Sequence, residues 1–206
     1  MIEVHHLNNS RSQRILWALE ELELPYEIVR YQRDPQTNLA PDSLKKIHPL
    51  GKSPVIKDGD VVVIESGAIL EYLVREYGKG RLAPPEDSRD FIRYLQFLHY
   101  AEGSAMLPVM LKLYTSRLGD AGAPLAPRIA SEIENHMGYL DGELTGKSWF
   151  VGDELTAADI QLSFVIQATR LLYGLDPFPN LARFLDRVYA RPAYRRSLER
   201  GGPYAF

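Results

Sequence analysis

Cysteine is missing from all 206 residues of the sequence. Its absence excludes disulfide bonds, cysteine-ligated zinc and a protein thiol nucleophile, although it does not by itself fix the cellular compartment. An excess of basic charge is missing as well, since 24 lysine and arginine residues stand against 27 acidic ones, for a net charge of −3. This balance gives no indication of a nucleic-acid partner or of binding to an anionic membrane.

Long apolar runs are also missing. No stretch approaches the roughly 20 apolar residues that a membrane-spanning helix needs. Residues Met1–His6 lack the basic segment followed by an apolar run that marks a secretory signal. We therefore expect a cytoplasmic protein. With 45% hydrophobic and 25% charged residues, the composition is typical of a soluble globular protein of one large or two small domains.

Short strands and helices are predicted to alternate in the first part of the chain. Ile2–Leu7 and Tyr26–Tyr31 are strand candidates on either side of a helical pattern. The dipeptide Asp58-Gly59 favours a tight hairpin between two further strands, because both central residues of such a turn need positive φ. A helix over Ser66–Tyr77 follows. The order predicts an α/β unit of the form βαβ-αββα over residues 1–77.

Helical periodicity replaces the strand signals after residues 78–86, a linker rich in glycine and proline. Helices are predicted at residues 87–118, 127–144, 157–172 and 181–190. We therefore predict that an all-helical bundle domain occupies residues 87–206.

Ser53-Pro54 stands at the start of a predicted strand. An X-Pro bond adopts the cis form at modest cost, and a cis bond here would turn the backbone amide and carbonyl of Ser53 towards a bound peptide. The alternative is a trans proline that merely begins an edge strand. Taken alone, the dipeptide favours the trans form.

Glu65-Ser66 begins the helix that follows the hairpin. Ser66 suits the N-cap position of that helix, which is a purely structural role. Its hydroxyl and amide can instead receive a ligand carboxylate, assisted by the helix dipole, while Glu65 supplies a negative charge for a ligand ammonium. The pair fits either a helix cap or the amino-acid end of a ligand.

Residues 8–12 link the first strand to the first helix. Ser10 or Ser12 can cap this helix, with asparagine as a turn residue. Alternatively, the Asn9 amide, the Ser10 hydroxyl, the Arg11 charge and the helix end can stabilise a thiolate. Lowering a thiol pKa of about 8.5 by about two units requires roughly 2.7 kcal/mol, which one charge-assisted hydrogen bond and a helix end can supply.

Three other sequence patterns bear on function: a capping box, the histidines, and a series of aromatic and methionine residues. Thr156 and Asp159 form a capping box, to which we assign a folding role and no catalytic one. The five histidines are scattered and do not form a metal-ligand set. Aromatic and methionine residues follow one another along the helix predicted at 87–118, and three of them are candidates to line an apolar substrate pocket: Tyr100, Met106 and Tyr114.

Four motifs in this order resemble the soluble glutathione transferase family over essentially the whole chain. They are NSRSQR, HPLGKSPVI, ESGAILEYL and FVGDELTAADI, which begin at residues 9, 48, 65 and 150. The resemblance implies a thioredoxin-like N-terminal domain, a C-terminal helical domain, glutathione as co-substrate and a homodimer.

The resemblance also assigns roles to single residues. It implies that Pro54 is the family's cis-proline and that the Ser53 backbone holds the cysteinyl unit of glutathione. Glu65 and Ser66 match the pair that binds the γ-glutamyl group, and Lys52 lies where the family often contacts the glycine carboxylate.

The thiol-activating position of the family usually holds Tyr, Ser or Cys, and here it falls on Asn9. Asn9 can donate a hydrogen bond but cannot act as a base, and Ser10 can take the role if the loop is shifted by one residue. The candidate catalytic set is therefore Ser10, Asn9 and Arg11. Without a cysteine at this position, the mixed-disulfide chemistry of cysteine-type members is not expected.

These observations predict a glutathione transferase that directs the glutathione thiolate at a hydrophobic electrophile entering between the domains. A glutathione-dependent peroxidase or disulfide-bond reductase is the enzymatic alternative. A non-catalytic glutathione-binding or scaffold protein is the alternative of another class. No metal, nucleic acid or membrane partner is expected.

Overall fold

A computed structural model of the protein describes residues 1–202 and 204–205. The chain divides into two units. Unit 1 combines Met1–Arg81 with Tyr189–Ala205, and unit 2 begins at Leu82 and extends to Val188. This division differs from the predicted helical domain of residues 87–206, because the segment after residue 188 returns to the N-terminal part of the chain.

Unit 1 contains a four-stranded sheet in the order β2-β1-β3-β4. The strands are β1 (Ile2–Leu7), β2 (Tyr26–Tyr31), β3 (Val55–Asp58) and β4 (Val61–Ile64). β1 and β2 run parallel, whereas β3 runs antiparallel to both of its neighbours. The predicted β3–β4 hairpin is present, but its turn differs from the predicted one. Asp58 ends β3 without positive φ, and the two-residue loop is Gly59-Asp60, in which only Gly59 has positive φ, at +58°.

Three helices accompany this sheet: α1 (Ser12–Glu21), α2 (Ser66–Tyr77) and α8 (Pro192–Gly201), together with a short 3₁₀ turn at Asp42–Lys46. α1 connects β1 to β2 and contacts both α2 and α8. The sequence prediction did not include α8. Its docking is polar as well as apolar, since Glu20 of α1 accepts hydrogen bonds from Arg196 at 2.8 Å and from Arg200 at 3.0 Å.

The register of the sheet brings three connecting segments to one edge. His5 of β1 lies opposite Val55 of β3, and Val55 lies opposite Ile64 of β4. The end of β1, the start of β3 and the end of β4 therefore lie side by side. The segments at residues 8–11, 51–54 and 65–66, which carry the predicted binding motifs, all leave the sheet at this edge.

Unit 2 is helical. It contains α3 (Arg89–Tyr100), α4 (Met106–Ser116), α5 (Ala126–Glu143), α6 (Ala157–Leu172) and most of α7 (Pro179–Ala190), with a 3₁₀ turn at Gly119–Leu125 between α4 and α5.

A π-helical turn at Ala101–Ala105 interrupts the single helix predicted at 87–118. Pro108 has no N–H to donate to the carbonyl of Ser104, so the regular hydrogen-bond pattern cannot continue unbroken. The N–H of Met106 instead reaches back to the carbonyl of Ala101.

The predicted capping box at the start of α6 is confirmed. The Asp159 carboxylate is fully buried and accepts hydrogen bonds from the N–H groups of Phe150 and Thr156 and from the Thr156 hydroxyl, each at 2.8 Å. Burial raises the pKa of Asp159 to about 6 despite these three donors. Among the described residues, no helix is both long enough and apolar enough to cross a membrane.

Candidate functional site

Ser53, in the segment before β3, has backbone groups available to a ligand. The Ser53–Pro54 peptide bond is cis. The Ser53 hydroxyl donates to the His5 carbonyl at 2.8 Å and accepts from the Leu7 N–H at 3.2 Å, which fastens this segment to β1. The Ser53 N–H and C=O have no hydrogen-bond partner among residues 1–202 and 204–205, so they can pair with the backbone of a ligand.

The start of α2 differs from the prediction by one residue. Glu65, rather than Ser66, occupies the N-cap position and makes no side-chain cap hydrogen bond. Its φ of +66° and ψ of 119° are rare for a residue with a side chain, a feature that often accompanies functional sites. The Glu65 carbonyl accepts the first helical hydrogen bond, from Ile69 at 2.9 Å, while its carboxylate side chain is exposed.

Arg14 of α1 lies behind this helix start. Its side chain is buried, and its Nη1 donates to the Ser66 Oγ at 3.1 Å. Because a guanidinium can only donate, the Ser66 oxygen is the acceptor and its hydroxyl hydrogen points elsewhere. A buried cation and a helix N-terminus thus add positive potential at the place predicted for a carboxylate. Sequence reasoning missed Arg14, whose only signal is its position between the buried residues of α1.

The thiol loop, which we define as residues 8–11, is held from two sides. Arg33 donates to the backbone carbonyls of Asn8 at 3.2 Å and of Asn9 at 3.1 Å. Asn9 has φ +49°, a left-handed conformation that asparagine tolerates. Its Oδ1 accepts a hydrogen bond from the Ala205 N–H at 2.8 Å. The Nδ2 group of Asn9 has no acceptor among the residues that the structure describes.

Ser10 is engaged inside the protein. Its Oγ accepts from the Ser12 N–H at 3.2 Å and lies 2.8 Å from the Ser12 hydroxyl oxygen. Only 7% of Ser10 is exposed. Ser10 is not the N-cap of α1, which is Arg11, but its hydroxyl does accept from the first amide of that helix.

His6 sets the direction of this hydrogen-bond chain. Burial, with a smaller contribution from the Arg30 charge, lowers the pKa of His6 to about 4, so its ring is neutral near pH 7. One ring nitrogen donates to the Gly201 carbonyl, and Nδ1 therefore accepts from the Ser12 hydroxyl at 2.8 Å. Ser12 has a single hydrogen to give, and both the His6 Nδ1 and the Leu7 carbonyl, which lies 3.2 Å from the Ser12 Oγ, can accept it. The arrangement that satisfies these acceptors directs the Ser10 hydroxyl hydrogen towards the Ser12 oxygen.

The other predicted residues of unit 1 lie on the surface of the same edge. Arg11 is half-buried at the N-cap of α1, and Lys52 is exposed. Gly51 precedes Lys52 with φ +57°, and a Cβ at Gly51 would lie 2.8 Å from the Lys45 Cγ. This position therefore demands glycine both for its backbone angle and for space.

The three pocket candidates belong to unit 2 and differ in their surroundings. The Tyr100 hydroxyl lies 2.5 Å from the His136 Nδ1 and forms a hydrogen bond with it. Tyr114 is 55% exposed. Met106 is buried in the helical core, with 2% of its surface exposed. Because it offers almost no surface to a ligand, we withdraw Met106 from the predicted pocket.

The part of the chain that the structure describes contains no cluster suited to a metal ion. No group of three or more histidine, aspartate or glutamate residues there could hold a metal ion.

Two family models match the chain. The model for the N-terminal domain of glutathione S-transferase matches residues 1–75, and the model for the C-terminal domain matches residues 104–192. Glutathione S-transferase 3 of Schizosaccharomyces pombe is 36% identical over 218 residues, covering 97% of this chain and 88% of the relative. Glutathione S-transferase 1 of Saccharomyces cerevisiae is 33% identical, with 97% and 95% covered. The chain belongs to the glutathione S-transferase family.

Solved structures agree with this assignment. A glutathione S-transferase from Actinobacillus pleuropneumoniae superposes with a TM-score of 0.90 at 35% identity, covering 98% of this chain and 93% of the other. A glutathione transferase family member from Pseudomonas fluorescens, solved with two glutathione molecules bound, gives a TM-score of 0.82 at 29% identity, with 96% and 92% covered. The predicted thioredoxin-like domain and helical domain are thereby confirmed.

Proposed function

We propose that this protein is a glutathione transferase that binds glutathione at one edge of the unit 1 sheet and uses its thiolate to attack a hydrophobic electrophile. The observation that carries the proposal is the shared edge. Strand register brings together an unpaired backbone at Ser53, a helix start at Ser66 backed by Arg14, and an amide donor at Asn9. These groups match the backbone, the γ-glutamyl carboxylate and the thiol of glutathione.

Each part of the glutathione molecule has a proposed partner. The Ser53 backbone, next to Pro54, pairs with the cysteinyl unit. Ser66 and the first amides of α2 receive the γ-glutamyl carboxylate, and Glu65 receives the ammonium. Lys52 attracts the glycine carboxylate. The exposed positions of Glu65 and Lys52 support these roles, because both side chains can reach a ligand on the surface.

Asn9 is the proposed donor to the thiolate. The Ser10 hydroxyl is engaged with Ser12, and we orient its hydrogen inward, whereas the Nδ2 hydrogens of Asn9 have no acceptor within the described chain. A charge-assisted hydrogen bond of about 1.5–3 kcal/mol, with the helix end and Arg11 nearby, supplies the roughly 2.7 kcal/mol that lowers a thiol pKa by two units. Asn9 stabilises the anion without accepting the proton, which passes to solvent.

Steady-state conjugation of an activated haloarene tests this assignment. Asn9→Ala removes the donor, and we expect kcat/KM at neutral pH to fall about tenfold to one-hundredfold. Asn9→Asp keeps an acceptor for Ala205 but places a negative charge beside the thiolate, so the loss is expected to be at least as large. Ser10→Ala is the matched comparison, with an expected loss of about threefold or less, because its proton already points inward.

Three outcomes would contradict parts of the proposal. If neither Asn9→Ala nor Ser10→Ala lowers kcat/KM, the thiol loop does not activate the thiol. If Ser10→Ala is the more damaging change, the donor is Ser10. If calorimetry detects no glutathione binding at millimolar concentration, the protein is a non-catalytic member of the family.

The remaining features are proposed from the family resemblance. We propose a cytoplasmic homodimer, and light scattering coupled to size exclusion measures its mass. Tyr100 and Tyr114 are proposed to contribute to the electrophile site. The exposure of Tyr114 and the partial exposure of Tyr100 support this role, and changes in KM for the haloarene after substitution by phenylalanine measure it.

A further inference from the structure

We propose that the segment following α8 is a positioning element for the thiol site, in which the backbone N–H of Ala205 fixes the orientation of the Asn9 carboxamide. This inference rests on the proposed function of Asn9 as the thiolate donor.

The Ala205 contact determines which end of the amide points where. A carboxamide presents an acceptor at one end and two donors at the other. A backbone N–H can only donate, so Oδ1 must face Ala205, where it lies at 2.8 Å. Nδ2 is thereby directed to the opposite side. If the amide rotated by half a turn, its oxygen would face the thiolate and repel it.

Several contacts hold the preceding helix, α8, against α1, β1 and β2. Gln13 of α1 donates to the Ser197 hydroxyl at 2.9 Å, and Arg30 of β2 donates to the Arg200 carbonyl at 2.6 Å. The Gly201 carbonyl accepts from His6, which belongs to the chain that directs the Ser10 proton.

Glycine at position 201 permits this close approach. A Cβ at Gly201 would lie 2.9 Å from the Gln13 Oε1 and 3.0 Å from the Leu16 Cδ1, so a larger residue would require these two side chains to shift. Beyond it, burial raises the pKa of the Tyr204 hydroxyl, and the Arg14 charge acts on the same group. Tyr204 is half-buried and belongs to unit 1.

The test removes the single donor. Ala205→Pro deletes the N–H, and because proline also restricts the backbone at Tyr204, a second donor-deleted variant without the ring is needed beside it. Ala205→Ser is the matched control, because it keeps the N–H. The readout is the pKa of the thiol of bound glutathione, measured from its thiolate absorbance as pH is varied, together with kcat/KM for haloarene conjugation.

We expect Ala205→Pro to raise the bound thiol pKa by about 0.5–1 unit and to lower kcat/KM at neutral pH about threefold to tenfold, while Ala205→Ser stays within twofold of the unmodified protein. In an Asn9→Ala background, Ala205→Pro should have no further effect, since the group that it orients is gone. Circular dichroism checks that each variant is folded. A chain truncated after Tyr204, which also lacks the donor, serves as the second variant.

The outcomes distinguish a failure of the proposed function from a failure of the proposed Ala205 role. If the unmodified protein does not ionise bound glutathione, the proposed function fails. If Asn9→Ala raises the thiol pKa but both donor-deleted variants behave like the unmodified protein, the positioning role of Ala205 is refuted. An undiminished effect of Ala205→Pro in the Asn9→Ala background also refutes it, because the segment would then act through another group.

Discussion

Removing the Asp159 side chain should cost the protein a large part of its stability. In Asp159→Ala, the buried N–H groups of Phe150 and Thr156 both lose their acceptor. Each buried donor left without a partner costs about 1–3 kcal/mol, so we expect a loss of roughly 3–4 kcal/mol. Asp159→Asn keeps one acceptor oxygen and should lose roughly 1–2 kcal/mol.

The pH dependence provides a second, independent measure. Burial raises the pKa of Asp159 from 3.8 to about 6. A raised pKa means that the folded state holds the proton more tightly than the unfolded chain, so the contribution to stability is fully present below about pH 4 and is lost as the pH rises through about 6. The unmodified protein should therefore gain about 1 kcal/mol relative to Asp159→Asn between about pH 7 and pH 5.

Urea unfolding followed by circular dichroism at fixed protein concentration measures both effects. Asp153→Asn, at an exposed position three residues before the capping box, is the matched control and should change stability by no more than about 0.5 kcal/mol. A loss below about 1 kcal/mol in Asp159→Ala would refute the structural role. If Asp159→Asn follows the unmodified protein at every pH, the buried carboxyl is not the titrating group.

Two further predictions concern unit 1. Burial alone would raise the pKa of Glu20, but hydrogen bonds led by that from Arg196, with Arg200 contributing, lower it. Glu20→Gln should therefore destabilise the protein by about 1–2 kcal/mol above pH 5. In urea unfolding, the stability difference from the unmodified protein should shrink as the pH falls. A difference that does not change with pH would contradict this. Gly51→Ala should cost about 1 kcal/mol more stability than Gly59→Ala in the same assay. Both positions have positive φ, but only at Gly51 would the added Cβ clash with the Lys45 side chain. Equal losses would show that the Lys45 side chain moves away without cost.

The sequence supported much of the fold because its local signals were unambiguous. The bounds of β1, β2 and α2 coincide with those predicted, since each has clear periodicity and a distinct stop. α8 was missed although Pro192 at its first position is a helix-start signal. Its apolar residues are too few to show periodicity, and much of its docking depends on long-range contacts with Glu20 of α1.

The positions of the motifs could be predicted, but their chemistry could not. Motif order predicts Ser53 and Ser66 as ligand contacts, whereas the proposal of Asn9 rather than Ser10 depends on hydrogen bonds that no local pattern encodes. The backbone N–H that orients Asn9 lies 196 residues away in the chain. No short-range sequence rule relates residues at such a separation.

The return of the chain to unit 1 has a consequence for biosynthesis. Because the ribosome makes residues 82–188 between the two parts of unit 1, the sheet emerges well before α8 exists. The face of α1 that carries Glu20 and contacts α8 is uncovered during that interval. A nascent chain that holds all the proposed glutathione-binding motifs therefore still lacks the hydrogen bond from Ala205 to the Asn9 Oδ1 until translation has passed Ala205.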